Sequence, residues 1–377
     1  MCDTINTPVP SILFVVPVNA QLPEFQSFQS QFHPVFLRLS SKDELIKKLK
    51  QDPQLANICA IYAGFLGFQP IGGLISDGLI DALPSSVKIV TVCSAGFNGY
   101  DLTKLRAHGI DFCNTPNFGA PQVAETALYH IINGFRKYHV FEDKLRQTGN
   151  TIDARTELQE YYDFDSSDGK FKLIDRNSSA SIHPWFAFGE KVSRNLFILS
   201  PRGKTITIVG LGNIGRELAY RVHALGMNIR YVNRHRLSDE KNLGFPVRYY
   251  QSLLEAAPGT DCVALCLPST PETAGMFNCK VIERLNDGCC VVNVGRGNLI
   301  VDDDLLTGLK SGKIGHAGLD VLEAEPIVNE ELVCRDDVTI TPHLGSCTKE
   351  VYNATEIFCL ENITNRLLKG EAKNILN

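Results

Sequence analysis

The sequence predicts an α/β protein of two domains, and three observations support this fold class. Apolar, strand-like runs alternate with amphipathic, helix-like segments along most of the chain, which is the order typical of parallel β-sheets. The 377 residues exceed what one domain of about 150 residues needs. An apolar content of 44% beside 21% charged residues is that of a globular chain with a large core.

The first series of elements predicts a compact domain that ends near Thr115-Pro116. Its predicted strands are Ile12–Val16, Ile58–Tyr62, Lys88–Cys93 and Asp111–Asn114. Its predicted helices are Lys42–Lys50, opened by Ser40 or Ser41, and Asp101–His108. Two of the strands lead into glycine-bearing loops, at 63–65 and 94–98. This order of strand, loop and helix is the βαβ rhythm of a parallel sheet.

A long helix and an irregular segment separate this series from a second one. The helix is predicted from Ala120 to about His139, where apolar residues recur at helical spacing. Residues 147–183 lose this periodicity and are rich in Asp, Ser, Gly and Asn, so we expect an exposed loop or a partly ordered insertion. The second series of predicted strands is Thr205–Val209, Asn228–Val232, Cys262–Leu267, Cys289–Asn293, His316–Leu319 and Val338–Thr341. An amphipathic helix is predicted at Lys349–Gly370.

Charge and apolar patterning exclude several classes of function. The chain carries 37 Lys and Arg against 42 Asp and Glu, a net charge of −5, and it has no basic block, which argues against nucleic acid as its main partner. No apolar run approaches the roughly 18 residues of a membrane span, and Ile12–Val16 lacks the basic flank of a signal peptide. The 12 cysteines are scattered without a CxxC pair, so we expect buried free thiols and no metal site. These features favour a cytoplasmic enzyme.

A glycine-rich turn joins the first strand of the second series to a helix. Residues Gly210-Leu211-Gly212-Asn213-Ile214-Gly215 follow the strand and precede a helix from Arg216 to about Ala224. In this context the first glycine allows a tight turn, the second lets the backbone approach a pyrophosphate, and the third lets the helix pack closely on the strand. The helix N-terminus supplies amides for the anion. The pattern predicts a dinucleotide-binding Rossmann domain.

The next predicted strand ends in Asn233-Arg234-His235-Arg236, and these residues bear on the choice of cofactor. An NAD-type site places Asp or Glu there, to accept hydrogen bonds from the adenosine ribose. A guanidinium instead pairs with a 2′-phosphate, which a carboxylate would repel. We therefore expect NADP(H) in preference to NAD(H). The alternative is that these arginines are solvated loop residues and that NAD(H) binds through other contacts.

Three polar residues follow later strands, at the sheet edge where ligands bind in open α/β folds. They are Arg296, Glu325 and His343, in the segments VNVGRG, GLDVLEAEP and TPHLGS. Each alone fits a surface arginine, a loop acid or a turn histidine. Together they supply an anion binder, an imidazole acid or base, and a carboxylate that can partner the imidazole.

These motifs, in this order, resemble those of the D-isomer-specific 2-hydroxyacid dehydrogenases. The family signatures are GxGxxG, an asparagine-led segment ending in Arg-Gly, a Gly-Leu-Asp-Val segment that runs to Glu-Pro, and a Thr-Pro-His segment that runs to Gly-Ser, and all four occur here. The resemblance covers most of Lys88–Ser346 and is greatest to the fungal branch that includes glyoxylate and hydroxyisocaproate reductases. The main departures are the segment 147–183 and Gly96-Phe97-Asn98, where the family usually has Gly-Tyr-Asp.

The resemblance implies roles for the site residues. Arg296 would hold the carboxylate and carbonyl oxygen of a 2-oxo acid, and His343 would protonate that oxygen as hydride arrives. Glu325 would hydrogen-bond the imidazole and favour its protonated form. Asp320 would face the nicotinamide. The residues implied in cofactor binding are Gly210, Gly212, Asn213, Ile214, Gly215, Asn233, Arg234, Arg236, Leu267, Pro268, Thr273, Val294, Gly295, Asp320, Gly345 and Ser346, and those implied in substrate binding are Ala95, Gly96 and Arg296.

The resemblance also implies an architecture and an activity. A flavodoxin-like substrate domain, 1–117 plus 346–377, would be interrupted by the Rossmann domain at 118–345, with an insertion loop at 147–183. The active site would lie in the cleft between the domains, and closure of the cleft would exclude water before hydride transfer. The expected protein is a homodimeric reductase of glyoxylate, hydroxypyruvate or a small branched 2-oxo acid, which forms a D-2-hydroxy acid.

Three alternatives share parts of the pattern. Phosphoglycerate dehydrogenase has the same motifs, and the few residues after His343 leave no room for an added regulatory domain, although short forms lack one. Formate dehydrogenase pairs its histidine with glutamine, and Glu325 argues against it. A dinucleotide-sensing corepressor of this fold can keep all three site residues, but its sensing is tied to NAD(H), which Asn233-Arg234 disfavours.

Overall fold

The structure, a computed structural model, describes residues 9–65, 67–75, 78–174 and 187–377. The chain forms two compact units: unit 1 comprises Met1–Phe118 and Cys347–Asn377, and unit 2 comprises Gly119–Ser346. Each is built on a parallel β-sheet, so the predicted α/β class is confirmed. None of the helices in the described ranges combines the length and apolar character of a membrane span.

Unit 1 contains a five-stranded parallel sheet with the strand order 2-1-3-4-5. The strands are β1 (Ser11–Phe14), β2 (His33–Phe36), β3 (Ile58–Gly64), β4 (Ile89–Val92) and β5 (Asp111–Cys113). This is the order of flavodoxin-like folds, in which ligands bind beyond the carboxyl ends of the strands. Strand β2 lies at the edge, is only partly buried, and is absent from the predicted elements.

Helices pack on both faces of this sheet because successive side chains along a strand point in opposite directions. The helices are α1 (Pro23–Gln29), α2 (Lys42–Gln51), α3 (Leu102–Ala107) and a C-terminal helix (Lys349–Lys369). Leu13 lies in the core shared with α2 and α3, whereas Phe14 lies in the core shared with α1 and the C-terminal helix. Ser41 and Asp101 cap α2 and α3 by accepting hydrogen bonds from main-chain amides.

Unit 2 begins with three consecutive helices. They are α4 (Ala120–Arg136), α5 (Tyr138–Thr148) and α6 (Thr151–Tyr161). The backbone turns at Lys137, whose φ of 51° lies in the left-handed region, so the first helix ends before the predicted His139. Asn150 begins α6 by accepting hydrogen bonds from the amides of Ile152 and Asp153.

The prediction of an irregular segment over 147–183 is wrong for the part that the structure describes. Helix α6 is followed by two antiparallel hairpins, formed by β6 (Tyr162–Asp165) with β7 (Lys170–Leu173) and by β8 (Lys191–Ser193) with β9 (Leu196–Phe197). Leu158 is buried against Val140 of α5 and Val192 of β8. This small core stabilises a helix whose polar composition masks its apolar face. Residues 175–183 of the prediction lie outside the described residues.

A seven-stranded parallel sheet forms the centre of unit 2. Its strands are β10 (Thr205–Val209), β11 (Asn228–Val232), β12 (Val247–Tyr250), β13 (Cys262–Leu265), β14 (Cys289–Asn293), β15 (Ile314–Leu319) and β16 (Val338–Ile340), and the order is 12-11-10-13-14-15-16. Counted from β10, this is the 3-2-1-4-5-6 order of the Rossmann fold with one strand added. The remaining helices are α7 (Asn213–Ala224), α8 (Leu253–Ala256), α9 (Cys279–Ile282), α10 (Asp302–Lys310) and α11 (Glu330–Val333).

Candidate active site

Three neighbouring strands of unit 2 bring the predicted catalytic residues to one edge of its sheet. Arg296 follows β14, Glu325 follows β15 and His343 follows β16, and these strands are adjacent and parallel. Loops that follow parallel strands meet at the same edge. Two of the loops touch, because a Cβ atom at Gly297 would collide with the backbone of Leu322. The segment of Arg296 therefore packs directly on the segment that leads to Glu325.

His343 and Glu325 form a hydrogen-bonded pair. Nδ1 of the imidazole lies 2.9 Å from Oε2 of Glu325, and Oε1 accepts a hydrogen bond of 2.8 Å from the amide of Leu322. An ionised carboxylate only accepts, so Nδ1 carries a proton directed at Glu325. In this arrangement Nε2 is the ring nitrogen that does not face Glu325. The two side chains are 46% and 38% exposed, so a small molecule can reach them.

A buried carboxylate, Asp320, organises the loop that carries His343. Its Oδ1 accepts hydrogen bonds from the hydroxyl of Thr341 at 2.6 Å and the amide of Leu344 at 2.8 Å, and its Oδ2 accepts one from the amide of Gly345 at 2.9 Å. The main-chain oxygen of Asp320 accepts from the amide of His343. His343 has a φ of 54°, a left-handed conformation that costs energy for a residue with a Cβ. These hydrogen bonds hold it there.

Asn293, at the end of β14, fixes the backbone beside Arg296. The buried Asn293 side chain accepts a hydrogen bond of 3.1 Å from the amide of Gly295 and donates one of 2.8 Å to the carbonyl oxygen of Arg296. Nη1 of Arg296 donates to the carbonyl oxygen of Gly295 at 2.7 Å. A guanidinium has five N–H donors in a planar fork, so this contact leaves most of the fork for an anion.

The glycine-rich turn fits a bound pyrophosphate. Gly210 has a φ of 93°, and a Cβ at Gly215 would collide with the carbonyl oxygen of Gly210, so both positions require glycine. A Cβ at Gly212 would meet no atom within 4 Å, which shows that the turn faces open space there. Gly212 is also the N-cap of α7 and has no side chain to cap the amides of the first turn. Such amides are suited to an anion.

Asn233 and the two arginines after it have different environments. Oδ1 of Asn233 accepts a hydrogen bond of 2.8 Å from the amide of Leu211, so this side chain braces the glycine-rich turn. Arg236 pairs with Glu240 at 2.8 Å, and its hydrogen bonds lower the pKa of that carboxyl. Arg234 is exposed and makes no ion pair within 4.0 Å among the described residues. The two arginines thus differ, because a carboxylate of the described residues pairs with Arg236 and none pairs with Arg234.

Comparison with known proteins places this arrangement in a family. Residues 174–345 match the family model described as "D-isomer specific 2-hydroxyacid dehydrogenase, NAD binding domain". A relative from Saccharomyces cerevisiae, whose name assigns it to the 2-hydroxyacid dehydrogenases, is 33% identical over 99% of this chain and 97% of its own. The chain belongs to the D-isomer-specific 2-hydroxyacid dehydrogenase family. It is thus a member of an oxidoreductase family and carries the family's NAD-binding domain.

Two further proteins similar to this chain have names that state a substrate. 4-Methyl-2-oxopentanoate reductase A of Aspergillus oryzae is 26% identical over 96% of each chain. The crystal structure of an NADPH-dependent glyoxylate/hydroxypyruvate reductase from Sinorhizobium meliloti, in complex with NADP and malonate, is 25% identical, with 98% of this chain and 97% of that chain covered and a TM-score of 0.72.

The other predicted cofactor residues lie in loops after three strands of unit 2. Leu267, Pro268 and Thr273 follow β13, Val294 and Gly295 follow β14, and Gly345 and Ser346 follow β16. The first two loops touch, because a Cβ at Gly295 would lie 2.6 Å from the carbonyl oxygen of Leu267. The hydroxyl of Thr273 donates to the carbonyl oxygen of Pro268 at 3.0 Å and closes the first loop on itself.

The predicted substrate loop, residues 94–98, belongs to unit 1 and follows β4. Within it the hydroxyl of Ser94 donates to the carbonyl oxygen of Gly96 at 2.7 Å. From outside the loop, Nδ2 of Asn114 donates to the carbonyl oxygen of Ala95 at 2.6 Å. Hydrogen bonds to the carbonyl groups of Ala95 and Gly96 thus shape the loop.

Sequence reasoning missed several residues that position this site. Asn293, Asn114 and Thr341 each hold a loop through a side-chain hydrogen bond. Their common signal is a polar residue at the end of an apolar strand. Asp320, predicted to face the nicotinamide, is 2% exposed, and its carboxylate oxygens accept from the loop of His343.

Proposed function

We propose that this protein reduces small 2-oxo acids to D-2-hydroxy acids and prefers NADPH to NADH. The observation that carries the proposal is the 2.9 Å contact between Nδ1 of His343 and Glu325, on loops beside that of Arg296. An imidazole acid, a carboxylate partner and an anion binder at one sheet edge are the groups needed to reduce a carbonyl next to a carboxylate.

Arg296 is the proposed substrate anchor. Its planar fork pairs with the carboxylate and the carbonyl oxygen of a 2-oxo acid at the same time, which orients C2 and polarises the carbonyl. Asn293 keeps the backbone of this arginine in place through the 2.8 Å hydrogen bond to its carbonyl oxygen. In unit 1, the amides of Ala95 and Gly96 are the proposed second anchor for the carboxylate.

His343 is the proposed proton donor. In its charged form the imidazole donates Nδ1–H to Glu325 and Nε2–H to the carbonyl oxygen of the substrate, and in the reverse direction Nε2 takes the proton back. Glu325 fixes the ring, and the amide of Leu322 in turn fixes Glu325. When bound, the reduced nicotinamide supplies the hydride that adds to C2.

The proposed preference for NADPH rests on charge. Asn233 is neutral where a carboxylate would repel a 2′-phosphate, and Arg234 is exposed beside it. The Sinorhizobium meliloti relative, which is NADPH-dependent by name and was crystallised with NADP, supports the same choice. The names of that relative and of the Aspergillus oryzae reductase support glyoxylate, hydroxypyruvate and 4-methyl-2-oxopentanoate as candidate substrates.

The test is oxidation of the reduced nicotinamide, followed by absorbance. Purified protein is mixed with NADPH or NADH and with each of the three acids. Glycolate, the product of glyoxylate, is achiral, so chiral chromatography is applied to the products of hydroxypyruvate and 4-methyl-2-oxopentanoate. We expect turnover of at least one acid, faster with NADPH, and the D form of any chiral product. Faster turnover with NADH contradicts the cofactor preference. Tight dinucleotide binding without turnover of any acid contradicts the proposed reaction.

A further inference from the structure

A buried histidine of α4 is hydrogen-bonded to the strand that leads to His343. His130 is 0% exposed, and its ring fits only because residue 318 is glycine: a Cβ there would lie 2.7 Å from Cγ of the imidazole. Nδ1 of His130 lies 2.8 Å from Oγ1 of Thr339, and Nε2 lies 3.1 Å from Oγ1 of Thr341. The imidazole therefore links the hydroxyl group of Thr339, on β16, to that of Thr341, the residue after β16.

These hydrogen bonds continue at both ends. The hydroxyl of Thr341 donates to Asp320 at 2.6 Å. Oγ1 of Thr339 lies 3.0 Å from Nε2 of His316, a fully buried residue of β15. Nδ1 of His316 is buried and has no hydrogen-bond partner in the described part of the chain. We refer to the five residues from His316 to Asp320, through Thr339, His130 and Thr341, as the buried chain.

The two ends of the buried chain determine the direction of every hydrogen bond in it. Asp320 also receives two amide donors and acts as an acceptor, so the single proton of the Thr341 hydroxyl points toward it. Oγ1 of Thr341 then accepts from Nε2–H of His130. Burial lowers the pKa of His130 to about 4, so the ring is neutral and has one N–H group.

The same reasoning gives the direction of the hydrogen bonds at the His316 end of the buried chain. Since the proton of His130 is on Nε2, its Nδ1 accepts from the hydroxyl of Thr339. Oγ1 of Thr339 then accepts from Nε2–H of His316, whose pKa burial also lowers. A neutral His316 with its proton on Nε2 has a bare Nδ1, and this is the atom that lacks a partner. All the hydrogen bonds therefore run one way, toward Asp320.

We propose that His130 and Thr341 are positioning residues of the active site: the buried chain fixes the carboxylate of Asp320, and Asp320 fixes the backbone of His343. This inference rests on the proposed function, in which His343 is the proton donor. Without the chain, Asp320 loses its shortest hydrogen bond, and the left-handed conformation of His343 loses part of what maintains it. The imidazole of His343 then points less accurately at the substrate.

The first test is nuclear magnetic resonance of the imidazole nitrogens in the wild-type protein. We expect His130 and His316 to be neutral near pH 7 with the proton on Nε2 in both rings. A proton on Nδ1 of His130 would reverse the chain and overturn the proposal. Assignment uses His130→Asn and His316→Asn, which each remove one set of signals. This test requires no enzymatic activity.

The second test compares three threonine variants. Thr341→Val removes the hydroxyl, Thr341→Ser keeps it, and Thr207→Val is the matched control, because Thr207 bonds Thr260 at 2.7 Å in the buried part of β10, at a hydroxyl pair outside the chain. We expect Thr341→Val to lower kcat about tenfold to a hundredfold, with the KM for the 2-oxo acid and the Kd for NADPH nearly unchanged. Thr341→Ser and Thr207→Val should keep most of kcat. Equal kcat in Thr341→Val and Thr207→Val overturns the proposal, as does a Ser variant as slow as Val.

Amide hydrogen exchange separates failure of this inference from failure of the proposed function. If the wild type reduces none of the acids, the proposed function fails, but the chain still predicts faster exchange at Leu344 and Gly345 in Thr341→Val than in Thr207→Val. Unchanged exchange at both amides overturns the positioning role. If the variants do not fold, the imidazole protonation of the wild type decides.

Discussion

The loop of His343 in unit 2 and the loop 94–98 in unit 1 are held by different means. In unit 2 the loop of His343 wraps around a buried carboxylate, Asp320, that accepts three hydrogen bonds through its side chain. In unit 1 the carbonyl groups of the loop 94–98 accept hydrogen bonds from described neutral donors outside the loop, which are Nδ2 of Asn114 and the amides of Tyr100 and Thr115. Hydrogen bonds to an ionised acceptor are about twice as strong as those between neutral groups.

This difference separates two kinds of expected effect. The loop of unit 2 carries the proposed proton donor, so changes there should lower kcat. The loop of unit 1 carries the proposed carboxylate anchor of Ala95 and Gly96, so changes there should raise KM. A lower kcat after a change in the loop of unit 1, or a higher KM alone after a change in the loop of unit 2, would contradict this division.

The largest effect is expected from His343→Ala. Loss of the proton donor should lower kcat by about a hundredfold to ten-thousandfold and leave NADPH binding nearly unchanged, as measured by steady-state kinetics and fluorescence titration. His33→Ala, at an exposed position of β2 in unit 1, is the control and should be neutral. Near-normal turnover in His343→Ala would remove this residue from the mechanism.

Acid should destabilise unit 2 before unit 1. Among the described residues, the histidines whose pKa burial lowers are His130, His139 and His316, all in unit 2. For His130 the folded pKa is about 4 against 6.5 in the unfolded chain, so only the unfolded chain takes up a proton between these values. The contribution of this neutral imidazole to the free energy of unfolding is therefore fully present above pH 6.5. It is lost as the pH falls toward 4, by on the order of 3 kcal/mol.

Urea unfolding at about pH 7.5 and about pH 5, read separately for each unit by pulsed amide labelling and mass spectrometry, checks this expectation. The midpoint of unit 2 should fall further than that of unit 1. His130→Asn should show a weaker dependence on pH. Equal shifts in the two units would contradict the assignment of acid sensitivity to these buried imidazoles.

A smaller effect is expected at the cofactor loop, where two nearby arginines serve as a matched pair. Arg234→Ala should weaken NADPH binding by about tenfold or more and change NADH binding little, because a charged hydrogen bond to the 2′-phosphate is lost. Arg236→Ala should have little effect on either cofactor, because that guanidinium pairs with Glu240. Fluorescence titration with both cofactors measures the difference. A retained preference for NADPH in Arg234→Ala would contradict the phosphate-binding role.

The smallest effect is expected from Asn114→Ala. Removing the 2.6 Å hydrogen bond to Ala95 deprives the loop of one neutral contact, and we expect KM for the 2-oxo acid to rise about fivefold with kcat little changed. Steady-state kinetics measure both values. Asn195→Ala, which removes a side-chain hydrogen bond to Phe164 in the hairpins of unit 2, is the control. A fall in kcat without a change in KM would contradict the assignment of KM effects to the loop of unit 1 and of kcat effects to the loop of unit 2.

The sequence predicts the interior of the fold better than its edges. Strands β10, β11 and β14 have the predicted bounds, because they lie inside the sheet and most of their residues are buried. Strands β2 and β12 lie at sheet edges and are partly exposed, so their apolar signal is weak. The hairpin of β6 and β7 also has a weak apolar signal, since none of the residues in its two strands is fully buried.

In the candidate site, the sequence likewise predicts some residues and not others. Short motifs point to Arg296, Glu325 and His343 because each supplies a reactive group next to a strand end, and the structure places Glu325 against His343. The residues that hold them could not be found this way. His130 lies on a helix far from β16 in the sequence, and a lone histidine on an apolar helix face gives no indication of its partners. Long-range polar pairs leave no local pattern.

The glycine at position 318 limits how this protein can change during evolution. A side chain there would press on the ring of His130, so the present histidine and any larger residue at 318 exclude each other. A mutation at 318 alone would displace the imidazole and break its two hydrogen bonds. The two positions are therefore epistatic: Gly318 can be replaced by a larger residue only in a lineage in which His130 has already been replaced.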